Sequence, residues 1–266
     1  MFGAGKIELK EAVPIKIDVN VDMGESFGRY ILGDDEALMP WVSSANIATG
    51  FHAGDPLVME RTIAWAKKYN VAVGAHVGLN DRQGFGRRQI NISVEELKSD
   101  ILYQLGAIDA FLKIHNMKLQ HIKPHGILYR MVGEQEIYID AFLDTVESYN
   151  KDLYIMLHTG CEALKRAQKR GLKTAPEILI DLGYDAEGNW ILERIKKERS
   201  PQEVAARALR AVCDHKIDTV AGDLIPVEGR TICIHGDAPN AVSVAKAVRQ
   251  ALEGAGVELA ALDKSM

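Results

Sequence analysis

Only three cysteines occur in 266 residues, Cys161, Cys213 and Cys233, an odd number without CxxC spacing. That scarcity excludes a disulfide framework and a thiolate zinc site, and it suits a reducing compartment. No segment approaches the roughly 18 consecutive apolar residues that a membrane span needs, so no membrane partner is expected. The opening stretch "MFGAGKIELKEAVPIK" has no apolar core of the kind an export leader carries, and the expected location is cytoplasmic. Basic blocks are missing as well: the net charge of −5 is spread over mixed charges, with no aromatic-basic patch. A nucleic-acid partner therefore lacks its electrostatic footprint. The G-x-S-x-G elbow, the P-loop and the G-x-G-x-x-G cradle are all absent, which removes a self-evident ATP site from this chain.

What is present is a chain 47% hydrophobic, long enough to bury a substantial core and expected to form one domain over 1–266. Short β-rich runs alternate with stretches of helical period, the pattern of βα units around a parallel sheet. Strands are expected at 15–20, 45–49, 71–76, 121–126, 153–159, 177–182 and 231–236. The clearest helix follows Ser93, which forms a capping box with Glu96; Leu97, Ile101, Leu105, Ile108 and Leu112 fall on one face. A second helix begins with Ser200 as N-cap, Pro201 at the first helical position and Glu203 completing the box. The stretch 216–230 reads as a small inserted hairpin with turns near Gly222 and Gly229.

Polar residues collect at the strand ends. Asp18, Asn20 and Asp22 lie at or just beyond the first strand's end, and His52 follows the second. His76 ends the third, His125 lies near the end of the fourth, and His158, Asp181 and His235 end the last three. In a parallel barrel those ends converge on one face, where active sites are built. For any single histidine a structural role is the ordinary one, but most of eight histidines sharing one topological position is not ordinary. His115, His121 and His215 fall elsewhere and receive no function. Asp55, followed by Pro56, reads as a helix cap, and Gly50, Gly54 and Gly236 as turn glycines. Arg87 and Arg88 in "GFGRRQ" are either surface charge or a fork for a substrate carboxylate. Imidazoles beside carboxylates hold a divalent metal or act directly as acid and base. The residues alone point to hydrolysis of a C–N bond or a similar electrophile.

Six motifs then carry a resemblance: "IDVNVDMGESFG", "SSANIATGFHAGDPLVM", "VAVGAHVGLNDRQGFGRR", "LYQLGAIDAFLK", "HIKPHGILY" and "TICIHGDAPNAV". In unbroken order from about residue 15 to residue 252, they resemble the LamB/YcsF family, whose best-known members are the A subunits of bacterial 5-oxoprolinase. The resemblance implies a distorted (β/α)7 barrel, TIM-like and similar to polysaccharide deacetylases. It also implies ATP-dependent opening of the lactam 5-oxoproline (pyroglutamate) to glutamate, performed with PxpB-like and PxpC-like B and C subunits. ATP would then be bound partly or wholly by those partners. By resemblance, Asp18, Asn20, Asp22, Glu25, His52, His76, His125 and His235 occupy the family's polar positions. We expect Asp18, Asp22, His76, His125 and His235 to be catalytic and Asn20, Glu25, His52, Arg87, Arg88 and Asp181 to contact substrate. A divalent metal, if held, is expected at Asp22, His52, His76 and His125. Departures from the family pattern include Thr49, "GAHVGLND", "MLHTGCE", and a shortened segment "IKKERSPQEVA". Leu182 stands where relatives carry arginine, which predicts a changed grip on a carboxylate or phosphate. Two other functions stay open at this point: a stand-alone metal-dependent amidase or deacetylase, and a non-catalytic binding or regulatory component of the same complex.

Overall fold

The apolar runs pair side by side, all in one direction, until the last meets the first. In the computed structural model, which describes residues 15–264, the strands are β1 (Lys16–Met23), β2 (Ser44–Ala48), β3 (Ala72–Val77), β4 (Leu119–Pro124), β5 (Tyr154–His158) and β6 (Thr174–Leu179). A hairpin of β7 (Lys216–Asp218) and β8 (Leu224–Pro226) precedes β9 (Thr231–His235). Strands β1 to β6 neighbour one another in sequence order, β6 pairs with β9, and β9 pairs back onto β1 from Asp18↔Thr231 to Asp22↔His235. Seven parallel strands thus close the barrel that the sequence predicts. A short strand, β10 (Glu258–Leu259), was not expected; it pairs with the start of β1 at Lys16 and Ile17. Most of the stretch read for a leader lies outside the described residues, and no helix among them is long and apolar enough to cross a membrane.

Helices cover the outside: α1 (Asp35–Leu38), α2 (Pro56–Tyr69), α3 (Val94–Ile114), α4 (Gly126–Glu134), α5 (Glu136–Asn150), α6 (Glu162–Lys169), α7 (Pro201–Cys213) and α8 (Ala241–Gly254). The apolar stripe of α3, Leu97, Ile101, Leu105, Ile108 and Leu112, is buried throughout, each side chain contributing about 1.5–3 kcal/mol. Ser93 and Glu96 form the reciprocal capping box, Ser200 caps α7, and Asp55 Oδ1 accepts from the N–H groups of Leu57 and Val58 at 2.9 Å. Asp55 is therefore a cap, as its Asp-Pro pairing indicates.

The boundaries differ where they matter for the site. β1 runs three residues past its expected end, so Asp22 lies within the strand. β6 begins and ends three residues early: Pro176 is tolerated inside it, because its fixed φ is compatible with extended backbone. Asp181 consequently sits beyond the strand. His125 is the first residue after β4 and the N-cap of α4. The hairpin turns at Gly222 (φ +93°), but Gly229 serves close approach instead, since a Cβ there would meet Ile178 Cγ1 at 2.7 Å.

Candidate active site

Side chains alternate along a strand, so β1 sends Val19 and Val21 into the apolar shell and Asp18, Asn20 and Asp22 into the lumen. The lumen is polar and layered. At its base the hydroxyls of Ser43 and Ser44 donate to Asp18 Oδ1 and that of Thr231 to Oδ2, each at 2.6 Å. Burial raises the Asp18 carboxyl while these three hydroxyls oppose the rise. Above it Asn20 Nδ2 donates to Glu177 Oε1 at 2.9 Å, and Asn46 Nδ2 donates to Asn20 Oδ1 and Asp22 Oδ1 at 2.7 and 2.8 Å. Asp18 and Asn20, expected to act on substrate, instead belong to this supporting column beneath the mouth.

Lys123 and Glu177 organise the next layer, and neither was expected. The Lys123 ammonium, 2% exposed, lies 2.9 Å from Asp22 Oδ1, 3.0 Å from Glu177 Oε1 and 3.0 Å from Cys233 Sγ. Burial disfavours its charge, but Asp22 and Glu177 outweigh burial and keep it protonated well above the usual lysine range. Tyr129 donates to Glu177 Oε2 at 2.7 Å. A signal existed in the sequence: a lysine inside an apolar strand, two residues before His125, shares that strand's inward face.

At the mouth Glu25, His52, His76 and His125 turn one donor atom each toward a common point, all within 4.8 Å of one another. Glu25 Oε1 is 3.1 Å from His52 Nε2, 3.4 Å from His125 Nδ1 and 4.0 Å from His76 Nε2. The outer nitrogens are already committed: His76 Nδ1 donates to the Lys123 carbonyl at 2.9 Å and His125 Nε2 to the Phe85 carbonyl at 2.8 Å. In neutral rings the inner nitrogens are then both acceptors, yet His76 Nε2 and His125 Nδ1 stand 2.9 Å apart. With Glu25 and His52 these two atoms form a group that could hold a metal ion. Burial, and then the charge of His76, holds His52 well below the usual imidazole range, and burial, then His52 and His76, does the same to His125. Burial, then Asp237 and Asp22, pushes Glu25 well above the usual carboxylate range.

Local backbone makes this crowding feasible. A Cβ on Gly78 would lie 2.4 Å from His52 Nδ1, and one on Gly86, whose φ is +60°, would lie 2.8 Å from both His52 and His125 atoms. Phe85 holds φ +53°, a costly conformation for an aromatic residue, and presents its carbonyl to His125. Gln104 of α3 clamps the loop, accepting from Gly78 N–H at 2.8 Å and donating to Gly78 O at 3.1 Å. Thr49, a departure from the family pattern, donates to the same Gln104 Oε1 at 2.8 Å.

Asp22 completes the mouth. Burial pushes its carboxyl up, but His76 and the Lys123 ammonium outweigh burial and hold it well below the usual range, so it is ionised. Its Oδ2 is 3.4 Å from His76 Nε2 and 3.9 Å from His235 Nε2. Asp181 accepts from the His235 backbone N–H and ring Nδ1, which turns Nε2 toward Asp22. Against the expected metal set, Glu25 rather than Asp22 joins the three imidazoles. A second group, Asp22, Cys233 and His235, also converges, but the Lys123 ammonium already occupies that position.

Beside the mouth a small pocket of about 30 Å³ is lined by the polar residues Asp22, His76, His125 and His235 and by the apolar residues Leu179, Leu182, Trp190 and Leu192. Arg87 reaches it, buried and paired with Asp237 at 2.8 Å. Arg88 does not: it pairs with Asp81 in the loop and its side chain is 52% exposed. The two neighbours point apart, so the pair is not a double fork. His158 also stays out, lining a separate recess with Tyr129, Cys161 and Trp190.

The comparisons with known proteins agree with this architecture. The sequence pattern of the LamB/YcsF family matches residues 17–266. The chain belongs to the LamB/YcsF family. It is 44% identical over 247 residues to a protein of Pseudomonas syringae pv. tomato named as the second of its 5-oxoprolinase A subunits, covering 92% of this chain and 98% of that one. It is 41% identical over 247 residues to the 5-oxoprolinase A subunit of Pyrococcus furiosus, covering 92% and 97%. A solved lactam utilization protein from Thermus thermophilus superposes with a TM-score of 0.84 at 40% identity, over 92% of this chain and 99% of that one. A putative cellobiose-phosphate cleavage protein from Enterococcus faecalis, 14% identical with a TM-score of 0.55 over 94% and 98%, shares the fold alone. The chain is thus similar to components of 5-oxoprolinases.

Proposed function

We propose that this chain, one barrel domain carrying its hairpin, is the A component of an ATP-dependent amidohydrolase that opens 5-oxoproline or a related lactam, with PxpB-like and PxpC-like partners. The names of its relatives support the substrate class, and the observation that carries the chemistry is the convergence on one pocket of Asp22, His235 and two members of the four-donor cup, His76 and His125. A lactam carbonyl is stabilised by amide resonance; phosphorylation of its oxygen makes it an electrophile that a weak base and water can attack. We assign ATP binding wholly or partly to the partner subunits.

Within the pocket, Asp22 Oδ2 accepts the proton of the attacking water. Its Oδ1 is tied to Asn46 and Lys123, which fixes the direction of Oδ2. His235, held at Nδ1 by Asp181, enters the step doubly protonated and gives its Nε2 proton to the departing ring nitrogen; the neutral ring left behind takes back the proton that Asp22 received from water. The apolar wall of Leu179, Leu182, Trp190 and Leu192 packs the ring and limits water to the reacting side. Glu25, His52, His76 and His125 fit a divalent metal: three imidazoles and a carboxylate converge, and two imidazoles hold their outer nitrogens on backbone carbonyls. Such an ion, when bound, supplies Lewis-acid activation of water.

The test is reconstitution with matched B and C proteins, following glutamate and ADP release. The chain alone is expected to neither hydrolyse ATP nor open 5-oxoproline at a useful rate. Robust ATP-independent hydrolysis by the lone chain would replace this reading with the stand-alone amidase. ATP consumption and ring opening that survive loss of His76 and His125 would make the chain a scaffold.

A further inference from the structure

Three cations line the pocket, Arg87, Lys123 and Lys196, and two of them are spoken for. Arg87 is paired with Asp237 at 2.8 Å and also donates to the Arg194 carbonyl; Lys123 is enclosed by Asp22 and Glu177. Lys196 differs. Its residue is only 9% exposed, yet no carboxylate among the described residues lies within ion-pair distance and no acceptor there takes a hydrogen bond from its ammonium. Its charge helps hold Asp181 low without making an ion pair with it. The stem is buried while the ammonium, which is not among the solvent-excluded unpaired atoms, reaches solvent at the pocket. Its charge is therefore free to meet an anionic ligand there.

We propose that Lys196 is the anion-recognition residue of this pocket, taking the carboxylate of a small ring substrate whose apolar edge lies along Leu182 and Trp190. This assignment rests on the lactam reading above for the ring, but not for the charge. It also accounts for Leu182: the cation comes from the 191–200 segment rather than from position 182. Anchored at Lys196, a five-membered ring spans toward Asp22 and His235, which line the same pocket.

The experiment is calorimetric titration of the full chain with 5-oxoproline, its uncharged carboxamide and 2-pyrrolidinone, together with succinate and inorganic phosphate. Wild type is expected to bind 5-oxoproline about tenfold or more tighter than the carboxamide, the discrimination of a charge-assisted hydrogen bond. Lys196→Met should erase that preference while leaving the carboxamide affinity unchanged, and Lys196→Arg should retain part of it. Lys165→Met, which removes an exposed charge on α6, serves as the control for net charge and should alter nothing. Equal affinity of wild type for the acid and the carboxamide, or unchanged 5-oxoproline binding in Lys196→Met, overturns the proposal. Lys196-dependent binding of succinate with no lactam binding upholds it and overturns the lactam reading. Preference for phosphate over every carboxylate overturns the carboxylate assignment, and absence of any anion binding overturns the proposal.

Discussion

Asp181 grips His235 twice, its Oδ2 accepting the backbone N–H at 2.8 Å and its Oδ1 the ring Nδ1 at 2.9 Å. The proton is thereby fixed on Nδ1 in the neutral ring and Nε2 is left facing Asp22. In Asp181→Asn the amide keeps the backbone contact but offers an N–H to Nδ1, which favours the opposite tautomer. Turnover of the reconstituted complex should fall about 10- to 100-fold, with little change in the thermal melt. Unchanged turnover would mean that His235 is not the proton donor.

His76→Ala and His125→Ala are each expected to reduce turnover at least about a thousandfold. Each also strands a buried carbonyl, of Lys123 or Phe85, at about 1–3 kcal/mol, so a modest drop in melting temperature should accompany the loss. His115→Ala is the contrast: this residue sits at the α3 C-terminus, paired with Glu60 on the surface at 2.8 Å. It should keep both activity and stability. Full activity in both mouth variants would remove the site.

Metal content tests whether the cup of Glu25, His52, His76 and His125 holds an ion. Elemental analysis of purified protein should find one divalent ion per chain, lost on chelation and reduced in Glu25→Gln and His52→Ala. Asp18→Asn should retain it, since Asp18 is held at the barrel base by Ser43, Ser44 and Thr231. Metal-free protein with undiminished activity would mean that the cup acts without a metal.

Acid should weaken the fold through buried histidines outside the four-donor cup. Burial lowers His121 from 6.5 to about 3 and His158 from 6.5 to about 4. The unfolded chain therefore binds these protons first, and stability is intact above about pH 6.5 and falls as the pH drops toward the folded values. The upper bound is about 1.4 kcal/mol per pH unit for each group. Urea midpoints measured from pH 7 to pH 4 should decline, and His158→Gln should flatten part of that decline. A profile identical to wild type would mean that His158 is not buried neutral.

Much of the architecture was legible in the sequence. Periodicity placed α3 and its buried stripe, and Ser93, Ser200 and Asp55 marked helix starts, because capping and amphipathicity are local properties. Strand ends were less legible: Pro176 masked the first half of β6, and the continuation of β1 to Met23 depended on pairing with β2 and β9. That Asp22, His76 and His235 come to one pocket was readable because chain order in a parallel barrel sends every strand end to one face.

The sequence by itself determined the family, the alternation of strand and helix, and the collection of histidines at strand ends, all of which follow from local pattern and chain order. Tertiary structure decided depth and partnership. Asp18, Asn20 and Asp22 share one face of β1, but only register across the closed barrel sets Asp18 among hydroxyls and Asp22 against His76 and Lys123. Adjacent Arg87 and Arg88 diverge because loop geometry sends one inward and leaves the other at the surface. Whether a buried lysine has a partner is a property of three dimensions, and so Lys123, enclosed by two carboxylates, and Lys196, which makes no ion pair among the described residues, could not be told apart in a string of letters.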